Sequence, residues 1–347
     1  MLLSEYRPHS ALVTKTTLID HPRFPVVDCH NHLTNMFGYG WDDRSVTELL
    51  DKLDQANVRV YVDLDGGFGK DILEHHLRHF KSAAPDRFCV FGGFDWNQWG
   101  EKGDGFIDWA VSEMRQQATQ GIQGFKFWKN LGLRVRDHRG TLVAVNDPRL
   151  DPVWATAGEL GLPITIHVAD PVAFFWPLDE HNERWEELSD HSDWHFPSPP
   201  YPSHISIVEG LADIAARHPQ TTFIGAHVAS YSENLAWVSQ VMDRCPNFYV
   251  DISARINELG RQPYSSRQFF LKYADRILFG TDMGPNLDFY RIYYRFLETD
   301  DEFFGYDPSD LPSQGRWGIC GIFLPEDVLK KVYYQNAERI ILKGKLV

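Results

Sequence analysis

Cysteine is scarce in this chain. Cys29, Cys89, Cys245 and Cys320 are the four in 347 residues, they lie far apart, and no CxxC pair occurs. That excludes a zinc ribbon or a disulfide framework and makes a reducing compartment, the cytoplasm, the expected location. Long apolar runs are also missing: none approaches the 18 or so residues a membrane span needs. The first twenty residues, MLLSEYRPHSALVTKTTLID, lack the charged start and continuous apolar core of a secretory signal, so the chain reads as soluble. Positive charge is in deficit, with 34 Lys and Arg against 48 Asp and Glu and a net charge of -14. This argues against a nucleic-acid or anionic-membrane partner, although a local basic pocket still suits an anionic small molecule. Repeats, low-complexity tracts and domain-splitting linkers are absent too. A single domain over 1–347 is expected, with an N-terminal extension over 1–24; a homo-oligomer is left open.

Hydrophobic residues make up 43% and charged residues 24%, enough to bury a large core. Eight short runs read as strands: Val26–Cys29, Val58–Leu64, Phe88–Phe94, Ile122–Phe127, Pro163–His167, Thr221–Ala226, Asn247–Ile252 and Arg276–Gly280. Most are apolar on both faces, as parallel strands covered by helices are. Helical i, i+3, i+4 patterns lie between them at Val46-Leu49-Leu50-Leu53, Ile107-Ala110-Val111-Met114, Ile207-Leu211-Ile214-Ala215 and Leu235-Val238-Val241-Met242. The alternation, at roughly 31 residues per unit, predicts an α/β fold of the TIM (β/α)8 barrel type. Pro325, with Val328, Leu329, Val332 and Tyr333 on one stripe, opens a closing helix. Two intervals are too long for loops of this fold, 170–205 and 284–324. Both follow strands, so both are expected as insertions walling the carboxyl-end face where barrel sites form.

Four strand ends carry chemistry instead of packing residues. VVDCHNH ends at His30 and His32, PITIHVAD at His167, TFIGAHVA at His227 and RILFGTD at Asp282. Strand alternation turns His30 and His32 to one side, able to grip one ion. His167 and Asp282 complete three imidazoles and a carboxylate, a set suited to one divalent cation, zinc first and manganese or iron next, with a position for water.

The HxH after strand 1, the histidines after strands 5 and 6, the FGTD aspartate after strand 8 and the closing QNAERI together resemble the amidohydrolase superfamily. Within it, the chain from Val26 to Leu342 is most similar to amidohydrolase family 2, the group of aminocarboxymuconate semialdehyde decarboxylase, resorcylate-type decarboxylases and hydrolases and hydratases of small carboxylated compounds. The resemblance implies a TIM barrel holding one metal through His30, His32, His167 and Asp282, with His227 activating water or moving a proton. A neutral imidazole is matched to that task near pH 7; Asp282 is expected to ligate and to take the proton.

Lys126, in GFKFW, has two readings. In binuclear members of the superfamily a carboxylated strand-4 lysine bridges two metals; the simpler reading is a cation facing a substrate carboxylate or snorkelling at the rim. Arg255 is expected to fork a substrate carboxylate, the alternative being a loop-bracing network with Glu258 and Arg261. Trp176, His181, Arg184, His191 and Trp194 are read mainly as loop packing, His75, His76 and His79 as a solvated helix face, and Asp63 and Asp65 as structural. The first expectation for function is a metal-dependent hydrolase that cleaves an amide, lactone or ester bond of a small carboxylated substrate through metal-activated water. The alternative is a metal-dependent non-oxidative decarboxylase, which shares every ligand. Resorcylate-type decarboxylases differ from this chain in having a glutamate where His30 stands and a relay glutamate sooner after the strand-6 histidine than Glu233. A barrel that binds ligand without a metal is a third class, disfavoured by the complete ligand set.

Overall fold

The structure, a computed structural model, describes Tyr6 and residues 9–344. Part of the extension expected over 1–24 therefore lies outside the described residues (1–5, 7 and 8), as do 345–347. Eight parallel strands follow one another in sequence order around a barrel: β1 Val26–Asn31, β2 Val58–Asp63, β3 Phe88–Gly92, β4 Gly124–Phe127, β5 Ile164–Ile166, β6 Phe223–Gly225, β7 Phe248–Asp251 and β8 Ile277–Leu278. Backbone bonds from Cys29 N to Phe279 O (3.0 Å) and from Asp282 N to His30 O (2.9 Å) draw the segment after β8 back to β1. The fold is the TIM barrel that the alternation predicts.

Strand residues divide by parity between two cores, as the pleat requires. Cys29, Val60, Val62, Cys89, Phe91, Ile224 and Leu278 form the smaller cluster; Val26, Tyr61, Phe88, Val90, Phe125 and Ile277 join the larger one with the surrounding helices. Gly124 in β4 is required by this packing, because any side chain there would run into the Phe91 ring. The four helical patterns appear as Val46–Gln55, Phe106–Thr119, His204–Arg217 and Leu235–Arg244. Ser203 and Asn234 cap the last two by accepting from Ser206 N and Trp237 N. The closing helix begins at Glu326 after Pro325, and Val328, Leu329, Val332 and Tyr333 are all buried. Among the described residues no helix is long and apolar enough to cross a membrane.

The two long intervals differ in kind. The first, 170–205, carries single 3-10 turns at Val172–Phe175 and Ser192–Trp194 and a short α-helix at Trp185–Asp190. The second opens with a twelve-residue helix, Leu287–Glu298, that buries Tyr290, Tyr293 and Tyr294, and only then becomes irregular. The N-terminal segment straps across its end, where Thr17 donates from N and Oγ1 to Asp301 (2.6 and 2.7 Å).

Candidate active site

At the carboxyl end of the strands the wall of a cavity of about 680 Å³ carries His32, His167, His227 and Asp282. Its sides are aromatic, with Tyr39, Phe68, Phe94, Trp96, Trp128 and Phe174 among the lining residues. The volume is within the roughly 300–1,000 Å³ range of ligand pockets.

Each histidine of the HxH pair is fixed by its own carboxylate. His30 Nδ1 faces Asp251 Oδ2 at 2.9 Å and His32 Nδ1 faces Asp65 Oδ1 at 2.6 Å. A carboxylate only accepts, so each Nδ1 carries a proton and Nε2 is the nitrogen each ring would offer to an ion, the arrangement of carboxylate–histidine–metal triads. The β1–β2 register shifts between Asp28 and Asn31, an irregularity of the kind that re-aims side chains beside active sites. Asp282 arrives from the other side of the closure with φ +58° and places Oδ1 3.3 Å from His32 Nε2. Donor atoms of His30, His32 and Asp282 all lie within 4.8 Å of one another.

This donor set concentrates charge that a cation can balance. Without an ion, the Lys126 ammonium and the protonated His32 ring face the Asp282 carboxylate in the places a divalent ion would take over. Lys126 Nζ donates to His30 Nε2 at 3.0 Å, and burial pushes that ammonium down to about 8 against the pull of Asp282 and Asp251. Burial alone favours neutral His32, but Asp65 and Asp282 outweigh it and raise the ring to about 9. In Asp282 burial is likewise outweighed, by His30, His32 and Lys126, which hold its carboxyl well below the usual range. The residues present therefore fit a divalent ion.

His227 is built differently. It begins a run of four non-glycine residues in the left-handed region, His227, Val228, Ala229 and Ser230, with φ of 58°, 55°, 57° and 58°. Such backbone costs roughly 1–2 kcal/mol per residue, and the site holds it with bonds from His227 N to Asp251 Oδ1 (3.0 Å) and from Ser230 N to Ala226 O (2.9 Å). His227 Nδ1 donates to the Ser253 carbonyl at 2.8 Å, which leaves Nε2 bare and 3.8 Å from Asp282 Oδ2. Burial, reinforced by His167 and Arg255, keeps the ring well below its ordinary pKa, so it is neutral.

The structure brings His167 to the site but not into the three-donor group. Its ring stands edge-on to His227 at 4.3 Å between centroids, and Nε2 donates to Ala169 O at 3.1 Å. Burial lowers it to about 4. Nearby, Asp170 takes an ion pair from Lys129 at 2.5 Å.

Lys126 is not at the rim: β4 points it into the barrel, where it is fully buried, with its ammonium 3.0 Å from His30 Nε2 and 4.7 Å from the Trp128 ring centre, and it does not line the cavity. Arg255 does line the cavity, is nearly buried, and donates to Ala254 O at 2.7 Å; among the described residues no carboxylate lies in ion-pair range of it. The bracing network expected of the loop is made by its neighbours: Arg184 joins Glu187 (2.8 Å) and Glu258, and Arg261 forks Glu183 at 2.8 and 3.1 Å. Of the aromatic and basic residues singled out in 170–205, only Trp194 reaches the cavity wall, stacked on His191.

Three structural partners escape a reading of the sequence. Asp251 has a local signal, being an acid at the end of an apolar strand followed by Ile-Ser, as Asp282 is an acid at the end of another. Asp65 comes to orient His32 only through a contact made after a different strand. His76 is not on a solvated face: it is fully buried, with Nδ1 2.7 Å from Asp63 and Nε2 2.8 Å from Asp42, while His75 and His79 lie outside it, stacked in parallel.

Comparison with known proteins agrees with this fold. The family model described as Amidohydrolase matches residues 27–341. No curated protein matches the chain. Solved structures that resemble it include 2,6-dihydroxybenzoate decarboxylase from Rhizobium, 16% identical with a TM-score of 0.58 over 92% of this chain and 99% of that one. A dihydroxybenzoic acid decarboxylase from Polaromonas sp. JS666, with bound manganese and 2-nitroresorcinol, is 14% identical with a TM-score of 0.57 over 93% and 98%. A probable 2-pyrone-4,6-dicarboxylic acid hydrolase from Acinetobacter baumannii is 11% identical with a TM-score of 0.52 over 92% and 99%. At these identities the likeness concerns the fold.

Proposed function

Since the chain belongs to the amidohydrolase family, we infer that it is a metal-dependent hydrolase cleaving an amide, lactone or ester bond of a small carboxylated substrate. His30, His32 and Asp282 would hold one divalent ion, with His167 as the further donor at the edge of the group. Mixed imidazole and carboxylate ligation suits zinc first, then manganese or iron. When bound, such an ion polarises a substrate oxygen and brings the pKa of water toward about 7.

The chain's own residues do the rest. His227 accepts a proton at Nε2, the nitrogen its Ser253 bond leaves bare, and Asp282 Oδ2, 3.8 Å away, stands to share it. Arg255 receives the substrate carboxylate by a charge-assisted fork. The aromatic walls exclude bulk water and strengthen these interactions. The substrate is a small molecule rather than nucleic acid or membrane, in keeping with a net charge of -14, and the expected setting is the cytoplasm.

The observation that carries the reading is the His227 tautomer. A bare, neutral Nε2 takes a proton from water, as hydrolysis requires, whereas protonating a substrate carbon for decarboxylation calls for a proton already on that nitrogen. Incubating the metal-loaded protein with lactones, esters, amides and aromatic acids in ¹⁸O water separates the two. Label in the product without CO₂ release is expected; CO₂ release without label would replace the hydrolase with a decarboxylase.

A further inference from the structure

One buried carboxylate touches both halves of this site. Asp251, at the end of β7, is fully buried and divides its oxygens. Oδ2 accepts from His30 Nδ1 at 2.9 Å. Oδ1 accepts from His227 N at 3.0 Å, from Ser253 N at 3.1 Å and from Ser253 Oγ. Four donors thus converge on one carboxylate, three of them on Oδ1 and one on Oδ2, and both oxygens are engaged. Ser253 adds a second link, its Oγ lying 2.9 Å from His30 Nδ1 and 3.1 Å from His227 Nδ1.

We propose that Asp251 is a positioning residue that ties the ligand tautomer of His30 to the left-handed backbone of His227, so that the metal-holding and proton-accepting halves of the site are set as one unit. The inference rests on the reading of His30 as a ligand and His227 as the proton acceptor. The physical requirement is specific. With asparagine at 251 only one oxygen remains; if it stays with His227 N, the amide NH₂ confronts His30 Nδ1–H donor to donor. His30 escapes by moving its proton to Nε2, the nitrogen needed for the ion, and its bare Nδ1 then becomes an acceptor for Ser253 Oγ; if the amide flips instead, His227 N and Ser253 Oγ both lose their acceptor on residue 251. Either way the hydroxyl that lies against Nδ1 of both rings is redirected, so the two histidines respond together. Asp65 makes a contrast, because its oxygens go to His32 Nδ1 and to Leu33 N and Thr34 N, none of them on His227.

Asp251→Asn and Asp65→Asn are compared with wild type by zinc competition against a chromophoric chelator and by ¹⁵N-histidine NMR of the metal-free proteins, which reads the ring tautomers directly. Second-partner loss of this kind weakens metal binding about 10–100-fold, and that loss is expected in both variants. The distinguishing result is in the spectra: Asp251→Asn is expected to move His30 and His227 together, Asp65→Asn only His32. Asp251→Asn with zinc affinity equal to wild type, or with the His227 signals unmoved, would overturn the proposal. If wild type binds no zinc yet Asp251→Asn still moves both rings, the coupling stands and the metal reading falls. Should Asp251→Asn not fold, Asp251→Ser, which keeps one acceptor for His227 and gives up His30, is put through the same two measurements: weakened zinc with both rings moved supports the coupling, and unchanged zinc or an unmoved His227 overturns it.

Discussion

Replacing His76 with leucine breaks a buried charge network beside the barrel mouth. The ring is clamped between Asp63 and Asp42 at 2.7 and 2.8 Å. Burial favours its neutral form, but Asp63 and then Asp42 outweigh that and push it up to about 9. Burial meanwhile pushes Asp63 up to about 6 in spite of His76, so the pair is costly to bury and its worth appears when one member is lost. Removing one partner of a buried pair costs roughly 3–5 kcal/mol. For 347 residues, at roughly 2.1 cal/mol/K per residue, the unfolding entropy is about 0.7 kcal/mol/K. The melting temperature of His76→Leu is therefore expected to drop by about 4–7 °C at pH 7, read by calorimetry or circular dichroism. Signs follow from the two groups. His76 has a raised pKa, so its contribution is complete below about 6.5 and is lost as pH rises through about 9. The unpaired Asp63 of the variant is neutral in acid, so the gap from wild type narrows toward pH 5. Adding Asp63→Asn to the variant is expected to recover part of the loss. A melting temperature within a degree of wild type at pH 7 would refute the buried triad and restore His76 to the solvent.

Three further outcomes follow from the site. His227→Ala is expected to lower turnover at least 100-fold while zinc affinity and melting temperature stay near wild type, since general-base catalysis contributes about 10²–10⁴; retention of full turnover would remove His227 from the chemistry. Arg255→Gln is expected to weaken a carboxylated substrate by about 10–100-fold, the size of a charged hydrogen bond at about 1.5–3 kcal/mol, with little effect on its methyl ester; equal effects on both would assign Arg255 to packing. Lys126→Met is expected to tighten zinc at pH 7 about tenfold, because an ammonium with a pKa of about 8 must give up His30 Nε2 and one unit corresponds to roughly 1.4 kcal/mol. Weaker zinc binding in that variant would favour the metal-bridging role instead.

What can be read from the chain in advance is what is local. Eight apolar runs, each closed by a turn or a polar residue, mark strands because the pleat and the burial of both faces act over four to six neighbours. The strand ends at His30, His32, His227 and Asp282 stand out because a packing residue belongs there. The partners of those side chains do not. Asp65 and Asp251 reach their histidines across strands, and a pair 33 or 221 residues apart leaves no periodic trace. His76 misleads because HHLRH looks like a polar helix face, and only the position of Asp63 on β2 and of Asp42 in the preceding loop turns one of its rings inward. The helix Leu287–Glu298 is hidden in an aromatic stretch whose tyrosines pack at helical spacing between charged residues. His167 shows the converse: its place in the chain is legible, but its ring orientation is decided by Ala169 O.

The most direct measurement of the central claim is zinc titration into chelator-treated protein, followed by calorimetry and by metal analysis of the dialysed product. Wild type is expected to take up about one equivalent per chain, and His30→Ala with His32→Ala to take up none while keeping its fold. No saturable uptake by wild type, or undiminished uptake by the double variant, would contradict a metal centre at the HxH pair.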